Sequence, residues 1–265
     1  MSTQAHADEQ AFLSTYDPTK YERPIGVPAD IVIFTVTQEA VIGGTKSLPK
    51  RELCVLLIKR NGHPDRGKWA LPGGFSSPQE TLLQAAKREL LEETGVADIH
   101  LELLGIYDQP GRDKRGWVIS AAHVALVNER YLSKRQAADD AEDVQLFTIE
   151  EALELDLAFD HRLILEDAQR YVRCQMLQTT VAKEFLDEKF TLAELLQVIQ
   201  TVVPSYEITK TNFIRKMLMT KKQPIVEAVE GEFSTEYSQR PAQLYRFIKG
   251  YQPNVSIYVD APFAE

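Results

Sequence analysis

The segment Trp69–Val96, WALPGGFSSPQETLLQAAKRELLEETGV, constrains this chain more than any other stretch. From Gly74 it follows the pattern G-x5-E-x7-R-E-U-x-E-E-x-G-U without a gap, U being a bulky aliphatic residue. Gly74, Glu80, Arg88, Glu89, Leu90, Glu92, Glu93, Gly95 and Val96 fill its defining positions. Average composition puts such a match at a given start on the order of one in a billion. The spacing predicts a helix with Ser77 as its cap, Pro78 at its first position, Glu80 as the carboxylate of a capping box and Gly95 as the stop. At about 100° per residue, Glu89, Glu92 and Glu93 share roughly a third of the circumference, making one acidic face. Like charges at this spacing cost about 0.2–0.5 kcal/mol per pair, and carboxylates in a last turn oppose the helix dipole by about 0.3–1 kcal/mol more. A hard cation, Mg²⁺ or Mn²⁺, removes both penalties, because it takes oxygen ligands and bridges carboxylates to phosphates. Arg88 has only donors, so it is expected to orient a glutamate rather than bind metal. Glu80 stands between two roles, helix capping and catalysis.

These residues resemble the signature of the Nudix hydrolases. The resemblance implies an α/β (α+β) fold, an α/β/α sandwich with a mixed sheet, and metal-dependent cleavage of a nucleoside diphosphate linked to another moiety. It places the metal on Glu89, Glu92 and Glu93, with the Gly74 carbonyl beside them.

The rest of the chain supplies the strands such a sheet needs. Residues 1–24 read as a polar arm, with a helical turn around Gln10–Ser14 and extended chain at Tyr16-Asp17-Pro18, since residues before proline avoid the helical region. Ile31–Val36 and Leu53–Lys59 are nearly continuous apolar runs, which predicts a sheet covered on both faces. Arg60–Lys68 is a basic loop that must approach Gly73 and Gly74; Arg60 is a candidate for substrate phosphate, the alternative being a solvated turn. His100–Ile106 and Trp117–Val127 are strands flanking a polar, Pro- and Gly-rich loop. An acidic loop, Gln136–Asp143, precedes the strand Val144–Phe147. Helices over Ile149–Glu154 and Asp160–Leu177 complete a domain spanning 25–178. Cys54 and Cys174 lack metal-ligand neighbours and read as buried thiols.

Residues 179–265 have their own pattern. Thr191 and Glu194 form a capping box for a helix ending before Pro204. A turn leads to a second helix from Thr209 to Met219, then to strand-like runs at Ile225–Val229 and Ala242–Phe247. Helix-turn-helix followed by a hairpin is the layout of a winged helix. The second helix and its tail carry Lys210, Arg215, Lys216, Lys221 and Lys222 without an acid between, although the chain has a net charge of -9. That local reversal suits phosphate contacts on double-stranded DNA, with Thr211 and Asn212 able to reach base edges. The acidic stretch Glu230–Glu236 weighs for the alternative, a solvated face of a dimerisation module. No apolar run reaches a membrane span and the N-terminus lacks a signal pattern, so a cytoplasmic protein is expected.

Taken together, the YDQPGRD run from Tyr107, Asp139-Asp140-Ala141, Ala158-Phe159-Asp160-His161, FTLAEL from Phe190, KTNFIRK from Lys210 and RPAQLYR from Arg240 are similar to the Nudix-related transcriptional regulators of NAD metabolism. The resemblance implies an ADP-ribose-class pocket, a DNA operator as partner and a homodimer. It also makes Arg112 the candidate of its loop for a substrate phosphate or ribose contact, the alternative being a surface residue, and implies a general base or further metal ligand among Asp139, Asp140 and Glu142. Many of those regulators have damaged Nudix signatures; this chain keeps every carboxylate, which favours turnover of ADP-ribose to AMP and ribose 5-phosphate.

Overall fold

Strand β1 (Pro28–Gln38) carries the fold because both of its faces are apolar. Ile31 and Ile33 face one layer, Val32 and Phe34 the other, and all four are sealed from solvent, as the alternation of side chains along a strand requires. In the computed structural model, which describes residues 3–20, 22–39, 47–95, 99–132, 141–219, 224–238 and 240–250, β1 pairs antiparallel with β2 (Arg51–Arg60), placing Ile33 opposite Leu56. On its other side β1 runs parallel to β6 (Ser120–Leu126), with Ile31 opposite His123. β5 (His100–Tyr107) closes that edge antiparallel to β6, and β7 (Ala141–Thr148) pairs with β2. Two short strands, β3 (Trp69–Ala70) and β4 (Gly73–Phe75), attach to β2 and to the start of β1. The sheet is therefore mixed.

Each face receives its own helix. α2 (Leu82–Thr94) lays Ala85, Ala86 and Leu90 against Ile31 and Ile33. On the opposite face, α4 (His161–Gln178) presents Ile164, Leu165, Ala168, Val172 and Met176 at helical spacing, with α3 (Ile149–Glu154) beside it. Burying one such side chain contributes about 1.5–3 kcal/mol, so these stripes outweigh the modest propensity of the polar faces. The expected α/β/α sandwich is the observed one.

α5 (Leu192–Val202) begins at the capping box read from the sequence: Thr191 Oγ1 accepts from Glu194 N at 3.2 Å, and Glu194 accepts from Thr191 N at 2.8 Å. α6 (Lys210–Met219) follows, then the antiparallel hairpin β8 (Val226–Ser234) and β9 (Ala242–Phe247), which is the winged helix-turn-helix order. The hydrophobic cluster on the α4 face of the sheet continues without a break into Leu195, Ile199, Phe213 and Met217. Arg51 and Gln197 reinforce the seam, with Arg51 Nε donating to Gln197 Oε1 at 3.0 Å and Gln197 Nε2 to the Pro49 carbonyl at 2.6 Å.

Four local expectations are corrected. α2 starts at Leu82, capped by Thr81 and Gln84, rather than at Pro78 with Ser77 as its cap. The arm holds a full helix, α1 (Thr3–Thr15), in place of a single turn, and of Tyr16-Asp17-Pro18, expected extended, Pro18 instead opens a 3-10 turn (Pro18–Lys20). Cys174 is exposed, because it sits on the solvent side of α4 while Val172 and Met176 take the core side; Cys54 is buried as expected. Val96, Asp139, Asp140, Lys221, Lys222 and the side chain of Glu142 lie outside the described residues.

Candidate functional site

The site grows from the join between β4 and α2. Gly73 pairs with Asp30 of β1, which brings the loop against the sheet edge. Glu93 Oε2 accepts from Gly73 N at 2.6 Å, so the last turn of α2 is tied to this loop. Glu89 lies so close to Gly74 that a Cβ there would fall on the Glu89 carboxylate, with its carboxyl carbon at 2.5 Å. Gly74 is therefore glycine for room. Glu89 and Glu93 are buried, whereas the Glu92 side chain is 56% exposed.

Arg88 organises the carboxylates as the sequence suggested, and more extensively. Its Nη1 donates to Glu89 Oε1 at 2.6 Å and to Glu92 Oε2 at 3.0 Å; its Nη2 donates to Glu80 Oε1 at 2.8 Å and to the Phe75 carbonyl at 3.1 Å. Glu80 does not cap α2. Its carboxylate accepts from Ser77 N at 2.7 Å in the preceding turn and otherwise holds Arg88. Arg88, and then the Ser77 N–H, push the Glu80 pKa down to about 2, while Glu80 and Glu89 raise that of Arg88. Among the described residues no three His, Cys, Asp or Glu side chains converge into a ready metal cage. The expected acidic face is divided: Glu93 turns to Gly73, and Arg88 gathers Glu89 and Glu92. The donors are all hard oxygens beside a glycine that leaves room, which is the chemistry Mg²⁺ or Mn²⁺ requires.

Behind the loop is a buried polar network that local sequence patterns did not reveal. Asp30 Oδ2 accepts from Ser120 Oγ at 2.6 Å, and the Arg112 guanidinium joins Asp30 at 3.3 Å to Asp160 at 2.7 Å. Burial opposes the charge on Arg112, but Asp160 and Asp30 outweigh it and raise its pKa. His161 Nδ1 accepts from Leu71 N at 2.9 Å, and burial pushes its pKa down, so the imidazole is neutral. Arg112, the expected substrate contact of its loop, is thus placed in this network, with a side chain 3% exposed and held by two carboxylates through Nε and Nη2. Arg60, at the end of β2, is half-buried over the Phe159 ring and remains at the rim.

On α6, Phe213 and Met217 face the core, which turns Lys210, Thr211, Asn212 and Arg215 to solvent and leaves Lys216 half-buried. Asn212 Oδ1 accepts from Arg215 Nη2 at 2.8 Å, which orients both side chains. Of the expected contact residues, Lys210, Thr211, Asn212 and Arg215 are thus exposed.

Comparison with known proteins agrees with both halves. The NUDIX domain description matches residues 40–168, and the NrtR DNA-binding winged helix domain description matches residues 182–247. An ADPR responsive transcriptional repressor, NtrR, from Acinetobacter baylyi is 33% identical over 259 residues, covering 97% of this chain and 95% of the relative. An ADP-ribose pyrophosphatase from Methanocaldococcus jannaschii is 40% identical over 117 residues, which are 44% of this chain and 66% of the relative. The crystal structure of Shewanella oneidensis NrtR complexed with a 27mer DNA superposes with a TM-score of 0.68 at 29% identity, covering 84% of this chain and 93% of that one. The chain belongs to the Nudix family, in the branch that joins a Nudix domain to an NrtR-type winged helix.

Proposed function

We propose that the Nudix domain binds ADP-ribose and hydrolyses it to AMP and ribose 5-phosphate. The observation that carries this reading is the cradle itself: Gly73 held by Glu93, Gly74 against Glu89, and Arg88 drawing Glu80, Glu89 and Glu92 together. The names of the Acinetobacter and Methanocaldococcus relatives support ADP-ribose as the ligand. Glu89, Glu92, Glu93 and the Gly74 carbonyl would hold Mg²⁺ or Mn²⁺, which when bound neutralises a diphosphate and lowers the pKa of an attacking water. Arg88 keeps the carboxylates aimed at one place, and Arg60 offers a cation at the rim. The water's proton passes to a carboxylate, with Glu92, exposed on α2, and the acidic-loop residues Asp139, Asp140 and Glu142 as the candidates. The test is release of AMP from ADP-ribose with Mg²⁺; a Glu92→Gln variant as active as the unmodified chain would count against the assignment.

The exposed basic face of α6 favours a second activity in the same chain, binding of double-stranded DNA under control of the Nudix ligand. Lys210, Arg215 and Lys216 supply phosphate contacts, and Thr211 and Asn212 supply base contacts. The Shewanella protein, crystallised with DNA, supports this reading. If ADP-ribose binds the DNA-free and DNA-bound forms with different affinity, linkage requires it to change DNA affinity by the same factor. Selection of bound sequences followed by titration with ADP-ribose checks both points, and DNA affinity indifferent to ligand would remove the regulatory part.

A further inference from the structure

Two guanidinium groups converge on one phenyl ring beside the glycine cradle. The Arg60 guanidinium carbon stands 4.7 Å from the centre of the Phe159 ring; that of Arg115 is 5.7 Å from the same ring and 5.0 Å from the ring of Phe75. Both rings are tied to the site by backbone. Phe75 follows Gly74 directly and its carbonyl accepts from Arg88 at 3.1 Å. Phe159 follows Ala158, whose N–H donates to the Trp69 carbonyl at 2.9 Å at the start of the glycine-bearing loop.

The charge balance around this pair is incomplete. Arg60 Nε donates to the Pro64 carbonyl at 3.0 Å, and among the described residues Arg60 has no ion pair. The nearby Asp65 is shared between Lys114 at 2.8 Å and Lys68 at 3.7 Å. Arg115 is held by Asp113 at 2.6 Å and keeps a 39% exposed side chain. Burial and the neighbouring Arg115 both lower the Arg60 pKa, which reports two like charges held close together. Aromatic faces steady such cations and fix the guanidinium planes, and planar guanidinium forks match phosphate oxygens. Arg112, three residues before Arg115, has its charge buried between Asp30 and Asp160, with a side chain 3% exposed against 39% for Arg115.

We propose that Arg60 and Arg115, gathered on Phe159 and Phe75, clamp the phosphate oxygens of the nucleoside diphosphate, and that Arg115 rather than Arg112 is the anion-contacting arginine of its loop. The proposal rests on the reading of the Nudix domain as an ADP-ribose site and adds to it a residue that the sequence pattern did not single out.

The experiment is calorimetric titration of the full chain with ADP-ribose in EDTA, so that turnover does not obscure binding. Arg115→Gln is compared with Arg115→Lys and with Arg130→Gln, which removes the same charge at a distant pair with Asp187. Arg115→Gln should raise Kd about tenfold or more, the usual consequence of losing a charged hydrogen-bond partner, and should flatten the salt dependence of binding. Arg115→Lys should lose less, and Arg130→Gln should stay within about twofold. Because Arg115→Gln leaves the buried Asp113 without its cation, melting curves are run on each variant, and Arg115→Lys, which keeps a cation there, carries the comparison if Arg115→Gln is unfolded. A Kd for Arg115→Gln within twofold of the unmodified chain, or an equal loss in Arg130→Gln, overturns the clamp alone. No binding by the unmodified chain in EDTA overturns the clamp, and the absence of AMP release from ADP-ribose with Mg²⁺ as well overturns the ADP-ribose reading.

Discussion

Adjacent glycines in the cradle make opposite demands, and exchanging each for alanine separates them. A Cβ at Gly74 would first meet the Glu89 carboxylate, the far end of a side chain, with Cδ at 2.5 Å and Oε2 at 2.7 Å. The carboxylate can swing aside, so Gly74→Ala should cost about 1 kcal/mol or less, as losing one partly exposed ion pair with Arg88 does. Its catalytic cost should be far greater, since displacing a reacting group by about 1 Å slows a reaction on the order of a hundredfold. A Cβ at Gly73 would instead meet backbone, the Ala29 carbonyl and Asp30 Cα at 2.9 Å, and its φ of 148° is one that side-chain-bearing residues rarely adopt. The two penalties, about 1–3 kcal/mol for strain and about 1–3 kcal/mol for overpacking, add to about 2–6 kcal/mol. At about 2–4 °C per kcal/mol, that lowers Tm by about 4–24 °C. Differential scanning calorimetry and AMP release from ADP-ribose, run on both variants, read the two effects. Full activity in Gly74→Ala would show that Glu89 takes no part in the reaction, and an unchanged Tm in Gly73→Ala would contradict the pairing of β4 with β1.

Asp160→Asn leaves Arg112 buried with Asp30 at 3.3 Å as its remaining carboxylate; a loss near the low end of about 3–5 kcal/mol is expected in urea unfolding, and a loss below about 1 kcal/mol would mean the pair is solvated. His161 has its folded pKa below its ordinary value of 6.5, because burial disfavours the charged ring. The unfolded chain therefore takes up the proton first as pH falls, so this contribution to stability is present above about pH 6.5 and is lost below it, with a slope of at most about 1.4 kcal/mol per pH unit. His161→Asn should flatten the stability profile between about pH 7 and 5, and a profile parallel to the unmodified chain's would refute the assignment. For α6, Arg215→Ala should reduce the slope of log affinity against log salt by about 0.9 for each DNA phosphate that the arginine neutralises; an unchanged slope would take Arg215 off the DNA.

Elements whose signals are local were legible. α3 and β9 stand on the expected residues, and the Thr191–Glu194 capping box is formed as read. The start of α2 shows where locality fails. Ser77–Glu80 and Thr81–Gln84 are both plausible capping boxes four residues apart, and sequence alone favours the one with the carboxylate. In the folded chain Glu80 still accepts from Ser77 N, but its other oxygen reaches Arg88 eight residues on, leaving Thr81 and Gln84 to cap the helix. The burial of Arg112 was illegible for the same reason. Its partners Asp160 and Asp30 are 48 and 82 residues away, so only the tertiary structure could tell a buried arginine from a ligand-facing one.

The wing poses an electrostatic question that the fold partly answers. Carboxylates in β8 would repel DNA if all of them faced it unpaired, yet Glu227 receives Arg246 Nε at 2.7 Å and Glu232 receives Lys189 Nζ at 2.6 Å. Exposed pairs of this kind contribute little to stability. Their consequence is for recognition: two of the wing's charges are neutralised within the chain, while Lys210 and Arg215 remain exposed on α6. Exposed basic side chains thus stand on the helix that follows the turn, the element that enters the major groove in proteins of this layout. For the proposed DNA binding this predicts docking led by α6, with the hairpin held back from the phosphates. Glu230→Lys with Glu236→Lys checks it: removing the remaining repulsion should tighten binding to unrelated sequences more than to the selected site, and equal tightening of both would place the wing in specific contact.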